Sequence, residues 1–334
     1  MSLIHPEPGL NRSFFRNLLN SNFDSKTRPI LARVSILLSA YGFWILVFRL
    51  VAMTFVIYFL TRTSGKQVLF EEVNETFSAH ELSIIGFGAA AFVLFLKGFA
   101  PLWRESSFQI VSWTDIRQNF MPGFLQGMLL AAALVTAFLL AGTFRFVGFF
   151  VQIEDTPLAV LGIFVRSASL IAFVFCEEVL FRRYSLANLL RQNKDGLKPI
   201  FWKVGALSVA YCVIKLIQFD LGWMHLMTLL LLSLALSVRQ LNGEPPSRGA
   251  GFWCGILICF QPLFSLPVFG SDFSGIFLVK YQEYTTPLRL FSGGAGGPLA
   301  GFGFQLLLLI ETVRGLKTYL KTYMTAQAAE AATK

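Results

Sequence analysis

Residues 121–142 read MPGFLQGMLLAAALVTAFLLAG. The stretch carries no charge, and it is long enough to cross a bilayer as a helix, which takes roughly 17–25 apolar residues. A lipid-embedded helix is therefore predicted here, and with it the class of the whole chain.

Working outward, the same reading applies to seven further apolar runs. The eight predicted spans are about 34–60, 82–101, 121–142, 157–181, 200–219, 221–238, 251–269 and 298–313. The pair 200–219 and 221–238 is separated only around Asp220, which predicts a tight hairpin or one broken helix. The run 251–269 contains Gln261, Pro262 and Pro267, so a kink is expected there, with the freed backbone groups satisfied inside the protein. Composition agrees. Of 334 residues, 55% are hydrophobic and only 14% are charged, and Phe alone occurs 36 times. Mean hydropathy is +0.62. Soluble domains carry roughly a quarter charged residues, so a soluble globular, disordered or secreted disulfide-stapled chain is excluded. The expected fold class is an all-α, polytopic membrane helical bundle of about eight transmembrane helices.

The formal net charge of +9 is read by position. Lys and Arg crowd one side of the predicted spans, at Arg12, Arg16, Lys26, Arg28 and Arg33, around Arg182 to Lys203, at Arg239 and Arg248, and from Arg314 to Lys334. The other side holds Arg62, Lys66, Arg145, Lys280 and Arg289, and its first loop is acidic (Glu71, Glu72, Glu75, Glu81). This bias places both termini in the cytoplasm. The charge then reflects topology and contact with anionic headgroups, not nucleic acid. The predicted location is the cell membrane, in multiple passes, and the bacterial inner membrane fits it. Four parts are expected: a basic cytoplasmic segment 1–33, N-terminal transmembrane helices 34–150, a transmembrane core 151–315 and a cytoplasmic tail 316–334. No cleavable leader is expected, because the first apolar run is too long for one. The cysteines Cys176, Cys212, Cys254 and Cys259 all lie in apolar runs and read as small hydrophobes. The small residues of 86–91 (GFGAAA) and the glycine-rich SGGAGGPLAGFG (292–303) read as close-packing surfaces.

Ionisable residues inside spans are costly and face a bundle interior in pairs. The set comprises Arg49, Arg166, Glu177, Glu178 and Lys215. Glu178 and Arg182 are four apart and can pair on one helix face. Glu177 points about 100° away and has no partner on its own helix, which makes it the candidate general base.

The run FCEEVLFRRYSLANLLRQ (175–192) resembles the two-glutamate, three-spacer, arginine signature of the CAAX protease and bacteriocin-processing (CPBP) family, which includes type II CAAX prenyl endopeptidases. The likeness covers about 157–269. It implies an intramembrane endopeptidase in which Glu177 activates water and Glu178 and Arg182 support the site. It also implies that two later histidines, with an asparagine four beyond the second, bind zinc or stabilise an oxyanion. The aromatic-then-histidine motif falls on Tyr211-Cys-Val-Ile-Lys215, where lysine replaces histidine. The last motif falls on Cys259 and Leu263, where both family residues are lost. The chain has only His5, His80 and His225, none at family spacing. No zinc ligand set is retained and no cofactor is expected.

Lys215 is then predicted to be the counter-ion of Glu177, holding the old site shut. The expected function is a catalytically impaired relative that binds another membrane protein, or a membrane-embedded or prenylated peptide. Two alternatives stand beside it. One is an active protease in which Lys215 serves the oxyanion. The other is a small-solute transporter, suggested by Arg49, Arg166 and the broken seventh span.

Overall fold

The uncharged run at 121–142 is helical from Met121 to Leu140, and a half-turn at Trp113–Asp115 and a π-helical turn at Ile116–Phe120 lead into it. The computed structural model describes residues 28–64, 70–103, 113–149, 156–190, 197–271, 273–282 and 286–332. Outside them lie most of the basic N-terminal segment, including His5, Arg12, Arg16 and Lys26, and the loop residues Lys66, Arg104, Arg191 and Lys194.

In chain order the elements are α1 (Arg28–Ser64), α2 (Phe70–Trp103), α3 (Met121–Leu140) and β1 (Phe144–Phe149). Then come α4 (Thr156–Glu178), α5 (Leu197–Gln218), α6 (Trp223–Leu241) and α7 (Pro246–Ile258). The chain closes with β2 (Phe277–Tyr281), α8 (Thr286–Ser292) and α9 (Phe302–Ala332). Among the described residues, five helical stretches are long and apolar enough to cross a membrane: Ile30–Thr63, Ile116–Leu140, Ala159–Leu190, Leu197–Gln218 and Trp223–Leu241. The chain is an α-helical multi-pass membrane bundle. Its outer surfaces present Phe43, Phe55, Leu129 and Phe164, an apolar exposure that suits lipid as the solvent.

Three sequence expectations are sharpened. α5 and α6 are separate helices joined through Phe219–Gly222, and they pack on each other. The run 251–269 is helical only in its first part: α7 continues through a π-helical turn, Cys259–Leu263, and ends there, just past Pro262. Proline lacks the N–H that would carry the helix on. The run 298–313 begins its helix only at Phe302. The glycine-rich part before it forms two 3₁₀ turns, Gly294–Gly296 and Pro298–Ala300.

The bundle is organised around α7, where every residue from Gly249 to Leu257 is buried. Its tightest neighbour is α3, and it also packs on α4 and α6. Gly123 and Gly127 of α3 lie against the carbonyls of Arg248 and Phe252, and Gly251 and Gly255 of α7 lie against those of Phe120 and Phe124. Any Cβ at these four positions would overlap backbone. Two small-xxx-small faces thus interlock reciprocally, which in lipid brings dispersion and weak backbone contacts where no hydrophobic force acts between helices. The GFGAAA segment is used in the same way. Gly86 abuts the Ser169 carbonyl of α4, Gly88 abuts Phe48 of α1, and the Gly88 carbonyl accepts from Trp44 Nε1 at 3.0 Å.

Candidate functional site

Glu177 and Glu178 close α4, and the helix widens immediately after them into a π-helical segment, Val179–Leu186, that runs on to Leu190. Such insertions re-aim side chains and are frequent at functional sites. The two neighbouring carboxylates leave the helix in different directions. Glu178 Oε2 accepts from Arg182 Nη1 at 3.0 Å, and Arg182 Nη2 donates to Ser233 Oγ of α6 at 3.1 Å. The Arg182 guanidinium also lies over the Tyr211 ring at 4.9 Å. Both members are buried, so this is the i,i+4 pair expected from sequence, placed in the bundle interior. Ser233→Ala is expected to cost about 2 kcal/mol, because a hydrogen bond to a charged group is lost without water to replace it. Denaturant unfolding in detergent micelles checks this.

Glu177 turns toward α1 and α5. Lys215 Nζ donates to Glu177 Oε2 at 2.5 Å, and Tyr211 Oη donates to the same oxygen at 3.4 Å. Oε1 accepts from Gln218 Nε2 at 3.1 Å and from Tyr41 Oη at 3.3 Å. Gln218 Nε2 also reaches Tyr41 Oη at 3.1 Å. The side chains of Lys215 and Glu177 are 0% and 2% exposed. A carboxylate offers about four lone-pair directions, and here four donors occupy them.

The ammonium is enclosed on its other sides by aromatic rings. Phe173 lies 3.7 Å away, Tyr211 5.0 Å, Phe269 5.5 Å and Phe219 5.7 Å, measured to ring centroids. Ring faces attract a desolvated cation, so the cage recovers part of what Lys215 loses on leaving water. Phe269 arrives from the loop beyond Pro262 with φ +54, a left-handed conformation that costs a non-glycine residue about 1–2 kcal/mol. Its ring stacks on Phe219 at 4.6 Å and meets Trp253 and Phe173 edge-on. That packing holds the strained residue as a plug over Lys215.

Of the residues the sequence singled out, Glu177, Glu178, Arg182, Tyr211 and Lys215 are brought together. Cys259 is buried in the π-helical end of α7, and no hydrogen bond joins it to Glu177, Lys215 or Arg182. Leu263 ends that turn. His225 is elsewhere, with its Nε2 against the Gly296 carbonyl at 3.1 Å. Tyr41, Gln218, Phe173, Phe219 and Phe269 complete the site and were not identified from the sequence. Two of the intramembrane arginines have other duties. Arg49 pairs with Glu81 at 2.5 Å and reaches the Gln218 carbonyl at 3.4 Å. Arg166 donates to Ser271 Oγ at 2.9 Å and Ser83 Oγ at 3.3 Å.

The arrangement does not suit a zinc ion. Among the described residues no three His, Cys, Asp or Glu side chains are grouped as a metal would require, and structural and catalytic zinc sites take at least three such ligands. The one candidate carboxylate is met by an ammonium, two hydroxyls and an amide, all donors. No family model, curated protein or solved structure matches the chain.

Proposed function

We propose that this chain is a catalytically impaired relative of the CPBP intramembrane endopeptidases, kept as a membrane-embedded binding partner or scaffold. Its clients would be another membrane protein, or a membrane-embedded or prenylated peptide. In this reading eight segments cross the membrane, in a bacterium its inner membrane, and both termini are cytoplasmic. The basic residues flanking the spans support that orientation.

The observation that carries the proposal is the Glu177–Lys215 pair at 2.5 Å. A general base must lie within hydrogen-bond reach of the water it activates, with a lone pair free to take the proton. Glu177 spends its lone pairs on Lys215, Tyr211, Tyr41 and Gln218. The rings of Phe173, Tyr211, Phe219 and Phe269 enclose the ammonium on its other sides. The transporter reading loses its main support, since Arg49 and Arg166 both serve as ties between helices.

The test compares the wild type with the Glu177→Gln and Lys215→Met double variant, both reconstituted in liposomes with a fluorogenic prenylated peptide. Equal, background-level cleavage is expected from both. The double variant should also complement a strain lacking the gene. Glu177-dependent cleavage would overturn the proposal in favour of an active protease, and solute flux through the liposomes would favour a transporter.

A further inference from the structure

α9 runs beside the membrane-length helix α6 from one end of it to the other. At the start, Gln305 Nε2 donates to the Met224 carbonyl at 3.0 Å. At the finish, Gly315 abuts Val238, and its carbonyl accepts from Asn242 Nδ2 at 2.9 Å. α6 ends there, at Leu241, and the chain turns through Asn242 and Gly243. In a bilayer that α6 crosses, Gly315 therefore lies at the level of the membrane surface, and α9 carries on past it to Ala332.

The face of α9 turned away from α6 changes character at that level. Before it, Leu306, Leu309, Ile310 and Val313 are 50%, 45%, 55% and 44% exposed. At it and past it, Arg314, Lys317 and Lys321 are exposed. Spacings of three and four residues set Ile310, Arg314, Lys317 and Lys321 along one helix face. Leu309, Ile310, Val313, Arg314, Lys317 and Thr318 together line an open groove, so the apolar and basic parts belong to one surface. The helix brings these cations no acid of its own. Glu311 turns toward Arg239, with its Oε1 3.6 Å from Nη1. The next acid in the sequence is Glu330, more than two helical turns beyond Lys321.

We propose that this groove binds one anionic phospholipid, with its phosphate between Arg314 and Lys317 and an acyl chain along Val313, Ile310 and Leu309. The occupant is a lipid of the leaflet at the C-terminal end of α6. Charge complementarity selects it, because basic clusters just outside a membrane helix attract anionic headgroups. The Arg314 fork can hold two phosphate oxygens at once, and Lys321, one turn farther out, adds to the local field. An acidic protein segment would answer the cations alone. A lipid answers both the cations and the apolar side chains one turn before them. The inference uses none of the residues around Glu177, so it stands or falls separately from the proposed function.

The full-length protein, purified in detergent, is titrated with phosphatidylglycerol and examined by native mass spectrometry, with phosphatidylcholine and inorganic phosphate as parallel probes. The wild type is expected to retain phosphatidylglycerol in preference to phosphatidylcholine, and inorganic phosphate should not displace it. The Arg314→Gln and Lys317→Gln double variant should lose about fivefold in affinity per removed charge. Lys198→Gln removes an exposed cation at the start of α5 instead, and it should leave the affinity unchanged. In a second measurement, a nitroxide on Ile310→Cys, in vesicles of phosphatidylcholine and phosphatidylglycerol, should collide with oxygen and be shielded from a water-soluble nickel chelate. Four results would each overturn the proposal: equal retention by wild type and double variant, an equal loss per charge in Lys198→Gln, displacement by free phosphate, or a label fully open to the chelate. The last would favour an acidic protein partner.

Discussion

Lys215→Met is expected to destabilise the folded protein by about 3–5 kcal/mol, and adding Glu177→Gln is expected to recover most of that loss. The single change leaves an anion at a site 2% exposed, held only by Tyr41, Tyr211 and Gln218. Those hydroxyl and amide donors are neutral and cannot balance the charge. The reverse single change, Glu177→Gln, leaves an ammonium among Phe173, Phe219 and Phe269 with nothing negative beside it. The double variant removes both charges and fills the cage with a thioether, which aromatic faces accept. The coupling energy from the full double-mutant cycle, measured by reversible unfolding in bicelles, should therefore be several times larger than for an exposed pair. Additive single effects below about 1 kcal/mol would mean that the two groups do not meet.

The second large effect is expected at the interlocked glycines. Gly127→Val should cost about 3 kcal/mol, because its side chain would enter the space of the Phe252 backbone, which cannot move without lifting α7 off α3. The same experiment has an internal control in α5. Gly205 has nothing within 4 Å of where its Cβ would lie, so Gly205→Ala is expected to raise stability by about 0.5–1 kcal/mol through backbone entropy alone. Thermal unfolding of both variants in the same micelles separates close packing from a general penalty for altering membrane helices. Gly127→Val matching the wild type would sink the reciprocal glycine interface.

What the sequence reveals divides along physical lines. Helices in lipid must be apolar along their length, so 121–142 and 157–181 are readable one residue at a time. The Glu178–Arg182 pair is local, set by one turn of helix. The Glu177–Lys215 pair, 38 residues apart, is legible only through the spacing of the motifs that resemble a family signature. Tyr41 is a different matter: it lies 136 residues before Glu177, on a helix whose apolar pattern gives no sign of its polar task. Phe269 was unreadable for another reason, since its place depends on where α7 stops and on a left-handed backbone turn. The glycine interface did leave a signal. Gly123 and Gly127, like Gly251 and Gly255, repeat at four-residue spacing, but only the fold shows that the two repeats face each other. The early end of α7 is also intelligible afterwards, because Pro262 removes the donor that a full span through 269 would have needed.

The site is a chain of contacts that links α1, α4, α5 and α6. Arg182 ties α4 to α6 and leans on Tyr211. Tyr211 in turn donates to Glu177 and lines the cage around Lys215. A buried ion pair of this kind is weak evidence for added stability, since desolvation offsets much of the attraction. Its firmer consequence is chemical, because an acid saturated with donors cannot take a proton from water.

Isotope-edited infrared spectroscopy is the most direct measurement. The protein would carry labelled glutamate, and the spectrum of the Glu177→Gln variant would be subtracted from that of the wild type at neutral pH. An ionised Glu177 bound to Lys215 should appear as a carboxylate stretch that is unchanged when the protein is equilibrated in heavy water for a short time. A protonated carboxylic acid band in that difference spectrum, or a carboxylate band that shifts at once on solvent exchange, would show an acid free for chemistry and contradict the account.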